Sequence, residues 1–211
     1  MHPEILTASQ SKVLRKLGPL ATERGFYLAG GTALALQLGH RRSRDFDWFC
    51  RKRRLDPNAL AEDLSNHGRL TSKEIATRTL HCKVDRVPVS FLSYPYRSLE
   101  RQVRFADFGI RLASVRDICC MKLAAVGDRG SKKDFIDIYA IGKASGMGIG
   151  EMLELYKAKY DSEDVSHLLF ALAYYEDADA EETPELLTET KWGQVKSTIS
   201  RWVNDYYIAD R

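Results

Sequence analysis

Two aspartates separated by one residue, Asp45 and Asp47, are the side chains of this sequence best suited to chemistry. Alternate residues of a strand point to the same face, so both carboxylates project together if the segment is extended. Their mutual repulsion costs on the order of 1 kcal/mol or more unless a cation lies between them. Magnesium takes oxygen ligands, usually one or two carboxylates together with substrate phosphates. The pair therefore predicts a site for Mg²⁺ or Mn²⁺.

A glycine pair precedes the aspartates, and thirteen residues separate Gly31 from Asp45. Glycine allows the backbone to approach a phosphate closely. The N-terminus of a following helix adds unpaired N–H groups and the positive end of the helix dipole. Gly30 and Gly31 are thus predicted to bind phosphate, and Thr32 could add a hydroxyl there.

Basic residues cluster around the aspartates although the net charge of the chain is only +3. Residues 40–54 contain seven Arg or Lys and two Asp, whereas residues 160–190 contain ten acids and no Arg or Lys. Arg41, Arg42 and Arg44 could neutralise a triphosphate or a second polyanion such as RNA. A solvated loop is the alternative for the basic block. The acidic segment, residues 174–192, is predicted to be a solvated linker, or else a cover over the basic face of the same molecule or of a neighbour.

Composition indicates a soluble protein, since 44% of the 211 residues are hydrophobic and 29% are charged. No apolar run approaches the roughly eighteen residues of a membrane span, and the first residues lack the features of a signal peptide. We therefore expect a cytoplasmic protein with no membrane contact. The cysteines show no C-x-x-C spacing and are predicted to be reduced and buried. They are Cys50, Cys82, Cys119 and Cys120.

Hydrophobic periodicity places the glycines and aspartates on alternating helices and strands in the first half of the chain. The predicted helices are 9–24, capped by Ser9, then 32–39 and 56–67. The predicted strands are 26–29 and 45–50, followed by two or three antiparallel strands within 70–94. Pro88 predicts an edge strand or a bulge in the last of these.

Beyond residue 97 the pattern is helical, with predicted helices at 114–126, 131–143, 150–160, 164–177 and 192–207. The fold class predicted is α+β: a small mixed or antiparallel sheet with flanking helices, followed by an α-helical half. The predicted domains are an α/β core, residues 1–112, and an α-helical domain, residues 113–211.

The segment "FYLAGGTALALQLGHRRSRDFDWF" resembles the signature of polymerase-β-type nucleotidyltransferases. That signature is Gly-Gly or Gly-Ser followed by Asp-x-Asp. Within the superfamily the segment is most similar to the AbiEii/AbiGii toxin group. The later segment "DICCMKLAAVGDRGSKKDFIDIYAI" resembles the second conserved region of that group, in which a lysine on one helix precedes Lys-Asp-x-x-Asp on the next. The resemblance covers roughly residues 25–145 and implies a polymerase-β-like core with a helical domain that completes the cleft.

The resemblance also implies roles for individual residues. Asp45 and Asp47 would hold the metal, and Lys122 would contact phosphate. Asp134 or Asp137 would complete the catalytic site as a base or an orienting group, and a salt bridge from Lys122 to either aspartate is the alternative. The implied nucleotide-binding residues are Gly30, Gly31, Thr32, Arg42, Ser43 and Lys133.

One position departs from the superfamily pattern. A third carboxylate usually stands on a later strand, but the central polar residue of "VPVSFLSY" is Ser90. Either Asp134 or Asp137 supplies the third acid, or the chain is catalytically weakened.

The function implied is Mg²⁺-dependent transfer of a nucleoside monophosphate from a nucleoside triphosphate to an acceptor hydroxyl. The basic block favours RNA or tRNA as the acceptor. The family implies the toxin of a toxin–antitoxin or abortive-infection system, with a protein antitoxin as a possible partner. The alternatives are a small-molecule nucleotidyltransferase of the antibiotic-modifying type, or a degenerate member that only binds nucleotide or protein.

Overall fold

The computed structural model describes residues 1–53 and 55–209. Arg54, the last residue of the predicted basic block, lies outside the described residues. The chain forms two compact units. The sheet unit contains Met1–Gln37, Arg42–Arg97 and Arg101–Ser114, and the helical unit contains Leu38–Arg41, Ser98–Glu100 and Val115–Arg211. The predicted domains, 1–112 and 113–211, stay a prediction.

The sheet unit is built on a mixed seven-stranded sheet, as expected for the predicted α+β class. The strands are β1 (Tyr27–Ala29), β2 (Phe46–Cys50), β3 (Leu70–Ala76), β4 (Thr79–Val84), β5 (Val87–Ser93), β6 (Val103–Phe105) and β7 (Ile110–Leu112). Their order is β3-β4-β5-β2-β1-β7-β6. The β2–β5 and β1–β7 pairs are parallel, and the other pairs are antiparallel.

Three α-helices accompany the sheet in the described part of this unit: α1 (Ala8–Glu23), α2 (Gly30–Leu38) and α3 (Pro57–Ser65). Thr7, not Ser9, caps α1, because the Thr7 side chain and Gln10 form a reciprocal capping box. Asp56 caps α3 and Pro57 occupies its first turn, as predicted.

The core fixes the orientation of the aspartate strand. Phe46, Trp48 and Cys50 are buried, whereas Asp47 and Phe49 are only half-buried. The rings of Trp48 and Phe91 stack with centroids 6.3 Å apart. A shift of one residue would turn these buried side chains to the opposite face and would lose about 1.5–3 kcal/mol for each large side chain. Burial of the aromatic side chains therefore holds Asp47 on the other face of the sheet.

The helical unit contains α4 (Val115–Asp128), α5 (Lys132–Ser145), α6 (Ile149–Tyr160), α7 (Ser166–Ala173), α8 (Glu176–Ala180) and α9 (Trp192–Ala209). Helices α5 and α9 meet closely at Gly142, where an added Cβ would overlap the ring of Trp202. The single helix predicted over 164–177 is wrong in its length, since Tyr174 is extended and ends α7.

The sheet differs from the prediction at Pro88 and in an additional hairpin. Pro88 lies on an internal strand, β5, but pairing with β2 begins only at Val89, so the proline sits where β5 has a partner on one side. The β6–β7 hairpin was not predicted, because strands of three residues carry too little periodicity.

The cysteine prediction is confirmed: all four are free and buried. Burial raises the pKa of the Cys82 thiol to about 11 and that of Cys120 to about 12. Across residues 1–53 and 55–209, no helix combines the length and the apolar character needed to cross a membrane.

Candidate active site

The glycine turn and the second aspartate are in direct contact. Helix α2 begins at Gly30, whose φ of +65° favours glycine. A Cβ added to Gly30 would lie 2.7 Å from Oδ2 of Asp47. The antiparallel β1–β2 register causes this approach, because it pairs Ala29 with Asp47. The start of α2 therefore lies against the Asp47 carboxylate.

The first aspartate is positioned by the residues around it. Asp45 immediately precedes β2 and is half-buried. The Thr32 hydroxyl donates to the Asp45 carbonyl oxygen at 2.5 Å, and the Ser43 hydroxyl donates to Asp45 Oδ1 at 3.2 Å. Gln10 Nε2 donates to the Ser43 carbonyl oxygen at 2.7 Å. Thr32 is buried and its hydroxyl is bonded to the backbone of Asp45, so it holds Asp45 in place. Its predicted contact with nucleotide stays a prediction.

Two half-buried carboxylates beside a glycine turn provide an oxygen ligand set that fits Mg²⁺. Within the described ranges no group of three or more His, Cys, Asp or Glu side chains could hold a metal ion. A site with two protein carboxylates is completed by substrate phosphates. The space left by the missing Cβ of Gly30 adjoins Asp47.

A serine and a histidine continue the row that starts at Asp47. The parallel β2–β5 register pairs Asp47 with Ser90, and the β4–β5 register pairs Ser90 with His81. Ser90 Oγ lies 3.0 Å from Nδ1 of His81. Paired residues of neighbouring strands share a face, so these side chains lie in one line across the sheet. His81 could not be identified from sequence, because its place beside Ser90 depends on strand pairing.

In the helical unit, Lys122 forms salt bridges with both Asp134 and Asp137. A salt bridge to either aspartate was the alternative to a phosphate contact predicted for Lys122. Its Nζ lies 2.7 Å from Asp134 Oδ1 and 2.7 Å from Asp137 Oδ2. All three residues are buried, and both aspartates are 0% exposed. Burial lowers the pKa of Lys122, but the two carboxylates outweigh burial and raise it overall.

Asp137 is surrounded by cationic and polar donors. Arg41 donates from Nε at 2.7 Å and from Nη2 at 2.8 Å, and His40 Nε2 lies 2.7 Å from Asp137 Oδ1. Burial raises the pKa of Asp137, yet Lys122, Arg41 and the His40 hydrogen bond hold it well below its ordinary value. A carboxylate so stabilised as an anion is a weak base. The geometry therefore favours an orienting role for Asp137.

Asp134 also accepts hydrogen bonds from cationic side chains. Besides Lys122, it accepts from Arg129 Nε at 2.9 Å and from Arg129 Nη2 at 3.3 Å. Lys133, the neighbouring residue on α5, is exposed and remains accessible to a phosphate. The sequence predicted Lys122, Asp134 and Asp137 as site residues and a salt bridge among them, but not their other partners, which are His40, Arg41 and Arg129.

The arginines next to the aspartates have different surroundings. Arg41 is buried against Asp137. Arg42 is half-buried and donates from Nη1 to the Ile5 carbonyl oxygen at 2.9 Å. Arg44 is exposed. Of these three residues, Arg44 therefore has the guanidinium most accessible to an anionic ligand.

The acidic segment is ordered where it passes His40 and Arg41, so the solvated-linker interpretation is wrong there. Leu186 forms an antiparallel bridge with Arg41, and the Leu187 N–H donates to the His40 carbonyl oxygen at 3.0 Å. Glu181 accepts from the backbone N–H of Lys132 at 2.9 Å. These contacts lie within the helical unit.

Gly30→Ala is expected to abolish metal-dependent nucleotide binding, an effect that backbone strain alone would not produce. The added Cβ would meet the Asp47 carboxylate at 2.7 Å, and the positive φ costs about 1–3 kcal/mol for a residue with a side chain. Gly25→Ala is the matched control, because Gly25 also has a positive φ, +84°, but nothing within 4 Å of its added Cβ. Urea unfolding should show similar losses for both variants, with metal-dependent nucleotide binding lost only in Gly30→Ala. Equal nucleotide binding by both would contradict the contact.

A family model described as "Nucleotidyl transferase AbiEii toxin, Type IV TA system" matches residues 12–205. The uncharacterised protein aq_aa25 of Aquifex aeolicus (strain VF5) is 35% identical over 202 residues, 95% of this chain and 97% of that protein.

Two solved structures are similar in fold. JHP933 from Helicobacter pylori has a TM-score of 0.58 and 17% identity, covering 98% of this chain and 93% of that one. MenT4, the nucleotidyltransferase toxin Rv2826c from Mycobacterium tuberculosis H37Rv, has a TM-score of 0.55 and 13% identity. The match covers 92% of this chain and 82% of the MenT4 chain. The nucleotidyltransferase fold predicted from the sequence is confirmed.

Proposed function

The chain belongs to the AbiEii nucleotidyltransferase toxin family, and from this we propose that it transfers a nucleoside monophosphate from a nucleoside triphosphate to a hydroxyl of RNA. The observation that carries the proposal is the contact between Gly30 at the start of α2 and the Asp47 carboxylate. In the proposal, the backbone at the start of α2 binds phosphate and the adjacent carboxylate holds the metal.

Asp45 and Asp47 would hold Mg²⁺, which would neutralise negative charge on the triphosphate when bound. The N–H groups at the start of α2 bind phosphate oxygens, and Thr32 and Ser43 hold Asp45 in position. The acceptor oxygen forms a bond to the α-phosphorus as the bond from that phosphorus to the bridging oxygen breaks. Pyrophosphate leaves with the electron pair, and the acceptor proton passes to a base. Positioning and electrostatics account for most catalysis of this kind.

In the helical unit, Asp134 and Asp137 orient Lys122 and Arg41 through buried ion pairs. Lys133 is the exposed cation of α5 that we assign to phosphate. The roles of Lys122 and Lys133 come from the family resemblance, and the ion pairs explain how a buried lysine keeps its charge.

An RNA acceptor is supported by the exposed cations that flank β2 in the chain. Arg44 precedes Asp45, and Arg51, Lys52 and Arg53 follow β2; all four are exposed. Phosphate contacts supply most of the affinity in nucleic-acid binding, so a cluster of exposed cations favours a polyanion over a small neutral acceptor. The Type IV toxin–antitoxin assignment of the family implies a protein antitoxin as a further partner.

The proposal is tested by incubating the chain with each α-labelled nucleoside triphosphate, Mg²⁺ and a pool of small RNAs. We expect label on RNA from at least one nucleotide, and none when EDTA replaces Mg²⁺. A parallel incubation with aminoglycosides tests the small-molecule alternative, and label found only there would contradict an RNA acceptor.

Thermal unfolding separates an enzyme from a degenerate binding module. A nucleotide present at 100 times its Kd stabilises the protein by about 2.7 kcal/mol. We expect this stabilisation only when Mg²⁺ is present. Stabilisation independent of metal, together with no labelled product, would contradict the enzyme and favour the module.

A further inference from the structure

We propose that Ser90 and His81 form a proton relay that takes the place of the missing third carboxylate. In this relay, Ser90 accepts the proton of the attacking hydroxyl and His81 is its final acceptor. The inference rests on the proposed nucleotidyl transfer and assigns its general base, a role for which the resemblance offered Asp134 or Asp137.

The position of the pair is the first argument. Ser90 is the residue of β5 that pairs with Asp47, and neighbouring strands lie about 4.8 Å apart. A hydroxyl that attacks a phosphate held at Asp47 would therefore arrive within reach of Ser90. The pair is also open to substrate, since Ser90 is half-buried and His81 is exposed.

The hydrogen bond between the two side chains is the second argument. A distance of 3.0 Å between Ser90 Oγ and His81 Nδ1 is within the range for transfer between a hydroxyl and its base. Neutral imidazole with its proton on Nε2 leaves Nδ1 as the acceptor. The Ser90 hydroxyl then donates to His81, and the Ser90 oxygen keeps the lone pairs with which it can accept a proton.

The other two acids proposed as the base, Asp134 and Asp137, are already held in buried ion pairs. Asp134 and Asp137 are 0% exposed, and their oxygens accept from lysine, arginine and histidine donors. Protonating Asp137 would break its buried ion pairs with Lys122 and Arg41. His81 needs no such loss to accept a proton.

The relay balances as follows. The acceptor hydroxyl gives its proton to Ser90 Oγ while the Ser90 proton passes to Nδ1 of His81. The acceptor oxygen bonds to the α-phosphorus, and the bond to the bridging oxygen breaks, releasing pyrophosphate. Ser90 ends as a neutral hydroxyl, and the resulting imidazolium later returns its proton to water. Imidazole suits this step because its charge changes near neutral pH.

The charged groups around His81 set the conditions of the test. Glu74 of β3 pairs with His81 from the far side, and Lys83 lies two residues along β4 on the same face. Asp47 lies beyond Ser90. These are the charged side chains of β4 and the neighbouring strands that lie on the same face as His81.

The first test is the pH dependence of single-turnover transfer in His81→Gln, which keeps a hydrogen-bonding side chain but cannot take up a proton near neutral pH. We expect the rate to fall about 10²–10⁴-fold, and the fall in rate on the acid side of the profile to disappear. Lys83→Gln is the matched control on the same strand and face, and it should keep the acid-side fall. His81 is exposed, so both variants should fold; nucleotide-dependent thermal stabilisation checks this.

The second test restores a carboxylate at the strand position. Adding Ser90→Asp to His81→Gln should recover at least about tenfold of the lost rate, with the acid-side fall moved to lower pH, because a carboxylate accepts the proton directly. No recovery in a folded double variant would overturn the assignment of position 90.

Wild-type rate and pH profile in His81→Gln would overturn the relay while leaving nucleotidyl transfer intact. A slower His81→Gln with the acid-side fall unchanged would also overturn it, because histidine would then act only through structure. Absence of transfer by the unaltered chain, with every nucleotide and acceptor, would instead overturn the proposed function and the relay with it.

Discussion

Asp47→Asn is expected to lose nucleotide transfer by at least about 10²–10³-fold while leaving the stability of the protein nearly unchanged. The substitution keeps the size of the side chain and its contact with Gly30, but it removes the charge that would hold the metal. The amide of Asn also keeps a hydrogen-bonding side chain at this position, so we expect the free energy of unfolding to change little. The two effects can be measured separately by labelled transfer and by urea unfolding.

Asp45→Asn should behave in the same way, and the double variant should be no more defective in transfer than either single variant, because both residues would serve one metal. Glu62→Gln is the matched control, since it neutralises an exposed carboxylate on α3. Retained transfer in the double variant would rule out the metal-dependent mechanism. Loss of transfer together with a large loss of stability would mean that the carboxylates support the fold instead.

Much of the site could be predicted because its parts are close in sequence. A short strand, two glycines, a helix and a second strand form one unit, and each element carries its own local signal. The predicted strands and helix all exist within one or two residues, and the antiparallel β1–β2 pair brings Gly30 to Asp47. Local patterns were sufficient here because consecutive strands joined by a short connection usually lie next to each other in the sheet.

The row from Asp47 to His81 could not be predicted, because it depends on register between strands distant in sequence. Strand β2 pairs with β5 in parallel, and the β3–β4 hairpin is inserted between them along the chain. Moving β4 by one residue would turn His81 to the opposite face. The sequence identified Ser90 as an unusual residue, but only the pairing shows which side chain it contacts.

The ion pairs of the helical unit illustrate a second limit. Helical spacing predicts that Asp134 and Asp137 share a face of α5, and the alternative salt bridge to Lys122 was also visible in sequence. Arg41, however, lies 96 residues from Asp137, and its location in the basic block suggested a free cation that binds anions. Sequence shows the charge of a residue but not whether a distant partner already neutralises it.

Asp137→Asn is expected to destabilise the protein by about 3–5 kcal/mol, because Arg41 would lose its buried carboxylate partner and Lys122 would keep only Asp134. This is a large share of the roughly 5–15 kcal/mol that holds a typical domain folded. At an m-value of about 2 kcal/mol/M, the urea midpoint should fall by about 2 M. Asp128→Asn, at the exposed end of α4, is the control and should change stability by less than about 0.5 kcal/mol.

The pH dependence of the stability lost in Asp137→Asn tests whether the charge of Asp137 is the cause of that loss. The folded protein holds the pKa of Asp137 well below its ordinary value, so the folded state binds this proton less readily than the unfolded state. Its stabilising contribution is present above about pH 4 and is lost by up to about 1.4 kcal/mol per pH unit as the pH falls towards the lowered pKa. Asp137→Asn has no such contribution to lose, so the gap between the two urea midpoints should narrow from pH 5 to pH 3. A gap that stays constant would mean that Asn disturbs packing, and that the buried ion pair is not what stabilises the helical unit.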